Sequence, residues 1–203
     1  MSVVAGDAEV VPADRGGAVL EMLRGSGALL EGHFVLSSGL HSPRYVQCAK
    51  LLEHPSRARR VGAWLADLLR PVGIESVLAP ALGGVVIGHE VAAALGVPCR
   101  FTERKDGRME LRRGFVLHPA ERVVIVEDVV TTGKSTLETA EAAGALGAEL
   151  VAVGAILDRT GGRHSFPVPF SSLLAFEIPT WPAGQCPLCA AGGHAEKPGS
   201  RPG

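Results

Sequence analysis

Two runs of consecutive apolar residues constrain the fold more than any other feature of the sequence. Residues 123–126 (VVIV) and 150–157 (LVAVGAIL) are apolar throughout instead of alternating with polar residues. Strands of this composition are buried on both faces, which is typical of a parallel sheet covered by helices. Because segments with helical periodicity separate the strand-like segments, the pattern indicates repeated βαβ units. The sequence therefore predicts an α/β fold in which helices flank an open parallel sheet.

Helix and strand signals extend this pattern along the chain. We expect a mostly helical segment over residues 16–31, a small strand-and-turn unit over 32–52, strands over 74–79 and 97–101, and a helix over 84–95. An amphipathic helix is predicted between Ser56, as its N-cap, and Pro71. Ser135 and Glu138 have the spacing of a capping box, which would open a helix that runs to about Gly147.

These segments suggest a domain plan. Residues 1–15 are predicted to be a flexible leader, and residues 16–181 one α/β domain with a small N-terminal hood at about 16–52. The C-terminal tail, residues 182–203, is rich in proline and glycine, so we expect an extended surface arm.

Composition excludes several classes of function. The formal net charge of −1 gives no indication of a nucleic-acid partner. No apolar run approaches the ~18 residues of a membrane helix. Four cysteines in 203 residues do not form a disulfide framework, so we expect a reducing, cytoplasmic setting.

The segment 123–136 (VVIVEDVVTTGKST) carries the strongest chemical signal. An acid pair, Glu127 and Asp128, follows the buried strand, and a turn rich in threonine, glycine and serine then enters a helix. Backbone N–H groups, hydroxyls and the positive end of a helix dipole together bind phosphate. Carboxylates accept hydrogen bonds from sugar hydroxyls. The segment therefore suits a ribose 5-phosphate. A P-loop is disfavoured because position 128, where that motif needs glycine, is aspartate.

This pattern resembles the signature of type I phosphoribosyltransferases, which bind phosphoribosyl pyrophosphate (PRPP). The resemblance implies the type I phosphoribosyltransferase fold, and Mg²⁺ bound mainly through PRPP. It also implies a set of PRPP-binding residues within the segment: Glu127, Asp128, Val129, Val130, Thr131, Thr132, Gly133, Lys134 and Ser135.

Two further stretches resemble orotate phosphoribosyltransferases in particular. Residues 32–52 resemble the hood of that family, which implies orotate contacts at Ser38 and Tyr45; some relatives have lysine where this chain has Ser37. Arg159 follows a buried strand, and the resemblance implies that Arg159 and Thr131 contact orotate. The planar guanidinium of arginine suits a carboxylate, which orotate has and purine bases lack.

A basic, glycine-containing segment at residues 101–115 suits a mobile lid over pyrophosphate, although a solvated charged hairpin is the alternative. In the family this loop reaches the neighbouring subunit, which implies a homodimer. Arg104 and Lys105 match the PRPP-binding pair and, with Asp128, are the predicted catalytic residues. The sequence does not decide which lid arginine contacts pyrophosphate. The candidates are Arg108, Arg112 and Arg113. Residues 79–84 resemble the pyrophosphate loop of the family.

Cys186 and Cys189 have the spacing of metal ligands, and His194 is nearby in the sequence. Zinc normally needs four ligands, and no second pair follows. We therefore expect a plain tail and assign no metal-binding residue, although a site shared across a dimer is an alternative.

The resemblance implies transfer of the phosphoribosyl group of PRPP to orotate, in pyrimidine biosynthesis. A purine phosphoribosyltransferase and a non-catalytic PRPP-sensing regulator are the alternatives. Such regulators usually carry an added DNA-binding domain, for which residues 1–30 are too short.

Overall fold

Eight strands and six α-helices make up the described part of the chain, residues 14–36 and 38–198 of a computed structural model. The strands are β1 (Leu29–Val35), β2 (His41–Val46), β3 (Ser76–Pro80), β4 (Cys99–Lys105), β5 (Arg108–Leu111), β6 (Arg122–Val130), β7 (Glu149–Asp158) and β8 (Phe170–Ala175). The helices are α1 (Arg15–Gly25), α2 (Cys48–Leu52), α3 (Pro55–Leu69), α4 (Gly83–Leu95), α5 (Lys134–Ala145) and α6 (Pro187–Ala190).

The central sheet has the strand order β5-β4-β3-β6-β7-β8. Every neighbouring pair is parallel except β4 and β5. Helix α4 connects β3 to β4 and α5 connects β6 to β7, as βαβ units require. The predicted fold class, an open parallel sheet flanked by helices, is confirmed.

The buried faces of β6 explain its unbroken apolar sequence. Val124 and Val126 pack in a large core with α1, α3 and α4, whereas Val123 and Ile125 face a smaller core that includes Ala143 of α5. Alternate residues of a strand point to opposite faces, so both faces must be apolar when helices cover both.

Of the helices described, none combines the length and apolar composition that crossing a membrane requires.

Two predicted helix starts are each wrong by two residues. Helix α3 has His54 as its N-cap and proline at its first position, so Ser56 does not cap it. Helix α5 begins at Lys134, with Gly133 as N-cap at a left-handed φ of 74°, and no side chain caps it. Because the turn already ends at Gly133, Ser135 lies inside the helix and the predicted capping box does not form.

The basic segment forms an antiparallel β4–β5 hairpin that extends the edge of the sheet. Asp106 and Gly107 connect the strands with φ values of 48° and 84°. Two consecutive residues with positive φ are typical of a tight hairpin turn. The segment is therefore structured as a charged hairpin in this conformation, and its closure as a lid stays a prediction.

The hood contains a separate antiparallel hairpin of β1 and β2, and the C-terminal tail packs against it. Trp181 and His41 exchange two backbone hydrogen bonds. The N–H of Val35 donates to the carbonyl of Glu196, and the N–H of Glu196 donates to the carbonyl of His33. The described part of the tail is thus held against the hood. Asp14 and Arg15 of the predicted leader cap and begin α1. The rest of the leader, Ser37 and residues 199–203 lie outside the described residues.

Candidate active site

The acid pair lies near the carboxyl end of β6, at the centre of the sheet. Glu127 is 8% exposed. Burial, together with the negative charge of Asp128, raises the pKa of Glu127 to about 8. Burial also raises the pKa of Asp128, although the N–H of Val129 donates a 2.9 Å hydrogen bond to its carboxylate. The pair therefore holds a proton near neutral pH, which reduces the charge repulsion between the two carboxyl groups.

The start of α4 packs against the acid pair, and its first two residues, both glycines, make this possible. A Cβ at Gly83 would lie 2.6 Å from Oδ1 of Asp128, and a Cβ at Gly84 would lie 2.7 Å from the carbonyl oxygen of Val126. The loop between β3 and α4, predicted to be the pyrophosphate loop, contains a cis peptide bond between Ala81 and Leu82. A side chain at either glycine would occupy the space of Asp128 or of the Val126 backbone, so the sequence Gly-Gly lets the start of α4 approach the end of β6 closely.

The turn between β6 and α5 encloses a small cavity of about 40 Å³. Its lining includes every residue predicted to bind PRPP between 127 and 135 except Asp128: Glu127, Val129, Val130, Thr131, Thr132, Gly133, Lys134 and Ser135, with Thr136 in addition. The N–H of Lys134 donates to the Thr132 hydroxyl at 3.3 Å. Other N–H groups of the first helical turn have no partner within the helix. The cavity therefore offers backbone and hydroxyl donors to a small anion.

Phe166, from the loop after β7, covers the outside of this turn. A Cβ at Gly133 would lie 2.9 Å from the Phe166 ring, and the left-handed φ of Gly133 also favours glycine. The ring packs in turn against His164 and Phe170, with centroid distances of 5.1 and 5.3 Å. An aromatic cluster thus supports the phosphate-sized cavity from the side of β7 and β8.

A second cavity of about 420 Å³ adjoins the turn, and Thr131 and Thr132 belong to both cavities. Volumes of ~300–1,000 Å³ are usual for small-molecule sites. Residues from the hood, the two strand ends and the tail line it: Leu36, Ser38, Leu40, Tyr45, Thr131, Thr132, Arg159, Arg163, Ile178 and Thr180. The structure therefore brings together the four residues predicted to contact orotate, Ser38, Tyr45, Thr131 and Arg159.

Arg159 is the strongest anion-binding candidate in the larger cavity. Its backbone N–H donates to the carbonyl of Val130 at 2.8 Å, which continues the pairing of β6 and β7 beyond their ends. Its Nε is buried and has no hydrogen-bond partner among the described residues. Burial lowers the pKa of its guanidinium from the ordinary value. A buried donor without a partner is costly, so the geometry suits an anionic ligand that would accept from it.

Comparisons with known proteins agree with this geometry. Residues 47–165 match the model of the phosphoribosyl transferase domain. Orotate phosphoribosyltransferase of Thermotoga maritima is 51% identical over 183 residues, which cover 90% of this chain and 98% of the relative. The chain belongs to the orotate phosphoribosyltransferase family. The enzyme of Thermus thermophilus is 52% identical over 176 residues, 86% of this chain and 96% of that protein.

A solved structure of orotate phosphoribosyltransferase from Mycobacterium tuberculosis, in complex with inorganic phosphate, has the same fold. It superposes with a TM-score of 0.66 over 81% of this chain and 96% of that chain, at 24% sequence identity. At this low identity the likeness concerns the fold alone, and the family assignment depends on the sequence relatives.

Arg104 and Lys105, the pair predicted to be catalytic, do not line either cavity within the described part of the chain. Arg104 instead forms an ion pair with Glu138 of α5 and donates to the carbonyl of Gly107 at 2.7 Å. The Arg104 guanidinium holds the pKa of the Glu138 carboxyl below its usual range. Lys105 is exposed. Arg104 and Lys105 could contact a ligand in one of these cavities only if the hairpin moved, or they could contact a ligand bound to a second subunit.

The three lid arginines also differ in their surroundings. Arg113 forms an ion pair with Glu103 at 2.7 Å, and Arg112 is exposed. Arg108 lines a separate cavity of about 470 Å³ beside α5. Arg108 and Arg112 are therefore freer than Arg113 to contact a ligand.

Sequence reasoning missed the parts of the larger cavity that come from distant segments. Arg163, which pairs with Glu177 at 3.1 Å, lines the cavity beyond Arg159. Ile178 and Thr180 enter it because the chain leaves β8 beside β7 and then turns towards the hood. No local pattern marks either tail residue as a ligand contact. Leu36 and Leu40 flank the predicted turn at Ser38 and were recognisable from that position.

Proposed function

We propose that this chain transfers the phosphoribosyl group of PRPP to orotate and releases pyrophosphate. The product, orotidine 5′-monophosphate, leads to UMP in pyrimidine biosynthesis. The observation that carries the proposal is Arg159, whose side-chain Nε has no partner among the described residues, in a ligand-sized cavity that shares Thr131 and Thr132 with a phosphate-sized one. The identity of about one residue in two to orotate phosphoribosyltransferases supports the same substrates.

In the proposed complex the 5-phosphate of PRPP lies in the turn at residues 131–135. The ribose hydroxyls donate to the carboxylates of Glu127 and Asp128, which lie at the adjacent end of β6. Hydrogen bonds to a charged carboxylate lower its pKa, so ribose binding favours release of the proton that burial holds on Glu127.

Orotate would occupy the larger cavity. Its carboxylate accepts from the guanidinium of Arg159, its ring lies near Tyr45, and Thr131 and Ser38 offer hydroxyl and backbone groups to its polar edge. This arrangement puts the base beside the ribose, because Thr131 and Thr132 line both cavities. Proximity of the two reactants is a major source of acceleration when no covalent intermediate forms.

Bond breaking at ribose C1 runs ahead of bond making, so the ribose gains oxocarbenium character, as in glycoside chemistry. Orotate N1 then forms the new bond while pyrophosphate leaves with the electron pair. Asp128 stabilises the positive ribose, and Arg104 and Lys105 stabilise the negative pyrophosphate. No nucleophilic side chain is required.

Mg²⁺ fits the chemistry of this site. Glu127 and Asp128 would offer carboxylate oxygens, which this ion accepts, and PRPP and water would provide most of its ligands. When bound, Mg²⁺ supplies positive charge that offsets the charge of the leaving pyrophosphate.

A homodimer with shared lids completes the proposal. Arg104 and Lys105 lie outside both cavities of their own chain, and the β4–β5 hairpin that carries them extends the sheet edge outward. In the proposed dimer this hairpin would cover the PRPP bound to the second subunit. The described cysteines are all free, in keeping with the proposed reducing, cytoplasmic setting.

A purine phosphoribosyltransferase and a PRPP-sensing regulator are both disfavoured. A purine lacks the carboxylate that Arg159 would bind, so its binding would leave the half-buried guanidinium, with its buried Nε, without a partner. The relatives that cover nearly the whole chain are named as transferases for orotate.

The direct test is incubation with PRPP, Mg²⁺ and either orotate or a purine base, while the absorbance of orotate is followed. We expect orotate consumption and formation of orotidine monophosphate, with no nucleotide formed from adenine or hypoxanthine. Purine nucleotide formation without orotate consumption would contradict the proposal.

Two arginine variants test the base site. Arg159→Leu should raise the KM for orotate by about 10- to 100-fold, because a charge-assisted hydrogen bond contributes about 1.5–3 kcal/mol. Arg163→Leu is the matched control, since Arg163 lines the same cavity but already pairs with Glu177. PRPP affinity, measured by calorimetry, should change little in either variant. Equal losses for orotate and PRPP in Arg159→Leu would contradict the assigned role.

A further inference from the structure

Four side chains with metal-binding atoms converge where the tail meets the hood: His33, His41, Cys186 and Cys189. Their ligand atoms all lie within 4.8 Å of one another. We propose that these four residues bind one zinc ion, which fastens the C-terminal tail to the β1–β2 hairpin. The site is separate from the acid pair and the two substrate cavities, so the proposal does not depend on the proposed reaction.

The distances suit a tetrahedral ion. Nε2 of His33 lies 3.4 Å from Sγ of Cys186 and 3.7 Å from Sγ of Cys189. Nδ1 of His41 lies 3.3 Å from Sγ of Cys189. Zinc bond lengths of ~2.0–2.3 Å require ligand atoms roughly 3.3–3.8 Å apart. The two histidine nitrogens are closer, at 2.8 Å, as expected for a hydrogen bond between rings, and would separate slightly around an ion.

The backbone creates this arrangement from two distant parts of the chain. A register shift between Glu31 and Phe34 interrupts the β1–β2 ladder at His33. Such bulges re-aim a side chain, here towards His41 on the paired strand. Backbone pairing at Trp181 and at Glu196 holds the tail on both sides of the two cysteines. Cys186 is the N-cap of the short helix α6, and Cys189 lies one turn further along it.

The ligand chemistry selects zinc. Two thiolates and two imidazoles in tetrahedral geometry favour Zn²⁺ over Mg²⁺ or Ca²⁺, which prefer oxygen ligands. Two thiolates also neutralise the charge of a divalent ion, which suits a site where Cys186 is 3% and His41 9% exposed. With four protein ligands no position is open for substrate, so the ion has a structural role.

The sequence alone disfavoured this site because the second ligand pair is remote. Cys186 and His33 are 153 positions apart, and Cys189 and His41 are 148 apart. His194, the histidine nearest to the cysteines in sequence, is exposed and does not belong to the group of four. The spacing Cys-x-x-Cys thus indicated two of the four proposed ligands, and the two histidines could not be identified from the sequence.

The metal content of the purified full-length chain is the first test. We expect about one zinc per chain by mass spectrometry of the elements. After removal of zinc, Co²⁺ should restore occupancy and give the intense visible bands and thiolate charge-transfer bands of a tetrahedral site. Absence of zinc together with no tetrahedral Co²⁺ spectrum would overturn the proposal, as would a Cys186–Cys189 disulfide in protein purified under reducing conditions. This measurement needs no variant and so does not depend on the folding of one.

Matched variants locate the ion. The double variant Cys186→Ser with Cys189→Ser should lose the metal, whereas Cys99→Ser and His194→Ala should keep it. His41→Ala should lose tight binding, and His41→Cys should retain it because a thiolate replaces the imidazole. Hydrogen exchange of the tail amides at 181–196 should accelerate on metal removal, while β6 and β7 stay protected. Metal retained by the double cysteine variant, or lost equally in the controls, would contradict the assignment.

Discussion

Replacement of Glu127 by glutamine should remove most of the pH dependence of stability that the acid pair creates. Burial raises the pKa of Glu127 from 4.5 to about 8 in the folded chain, whereas the unfolded chain has the ordinary value. Between these values the folded state binds more protons than the unfolded state. The free energy of unfolding therefore falls as the pH rises through this interval and levels off above pH 8.

The magnitude follows from the width of that interval. A tenfold change in proton affinity corresponds to about 1.4 kcal/mol, so the interval from 4.5 to about 8 amounts to roughly 5 kcal/mol. Glu127→Gln has nearly the same shape and no ionisable proton, so it should unfold with a much flatter pH profile. A smaller slope should remain, because burial also raises the pKa of Asp128.

Urea unfolding of the ligand-free protein from about pH 5 to pH 9 measures this dependence. Glu141→Gln is the matched control, since Glu141 is exposed on α5 and should leave the slope unchanged. At the alkaline end Glu127→Gln should be several kcal/mol more stable than the unmodified chain. An identical slope in Glu127→Gln and the unmodified chain would refute the claim that burial of this carboxyl dominates.

Three further predictions concern catalysis, close packing and the core. Lys105→Ala should lower turnover far more than PRPP affinity, and equal losses in steady-state kinetics and calorimetry would argue against a role in the transition state. Gly84→Ala should lower the free energy of unfolding by about 1–3 kcal/mol, because the added carbon would lie 2.7 Å from the Val126 carbonyl oxygen. The control Gly144→Ala, with open space around the new carbon, should stabilise α5 by about 0.5–1 kcal/mol; a urea titration that ranks the two glycine variants in the opposite order would contradict this. Leu65→Ala, at a fully buried position, should cost about 2–5 kcal/mol in the same titration, and a loss below 1 kcal/mol would show that the core collapses around it.

The sequence predicted the centre of the fold well because that region has unambiguous periodicity. The runs in β6 and β7 are long, apolar and bounded by turn residues, so only a doubly covered strand suits them. The edge of the sheet was harder to predict. Strand β8 (FSSLLA) is short and one-third polar, and its pairing with β7 depends on tertiary contacts that no local pattern reveals.

The candidate site divides in the same way. The turn proposed to bind phosphate is continuous in sequence, so hydroxyls, glycine and helix start could be recognised together. The larger cavity, proposed to hold the base, is assembled from the hood, the ends of β6 and β7, and the tail, so Ile178 and Thr180 had no signal of their own.

The packing of Phe166 on Gly133 connects the segment after β7, which lines the larger cavity, to the turn between β6 and α5, which lines the smaller one. The segment that follows β7 places Arg159 and Arg163 in the lining of the larger cavity, and a few residues later its Phe166 supports the turn proposed to hold the 5-phosphate. Selection for a different base therefore cannot change this segment freely, because the residue in place of Phe166 must still pack against Gly133. If residues 159–169 are exchanged between enzymes of different base preference, we expect an active enzyme only when the aromatic residue at position 166 is transferred together with the arginine at position 159.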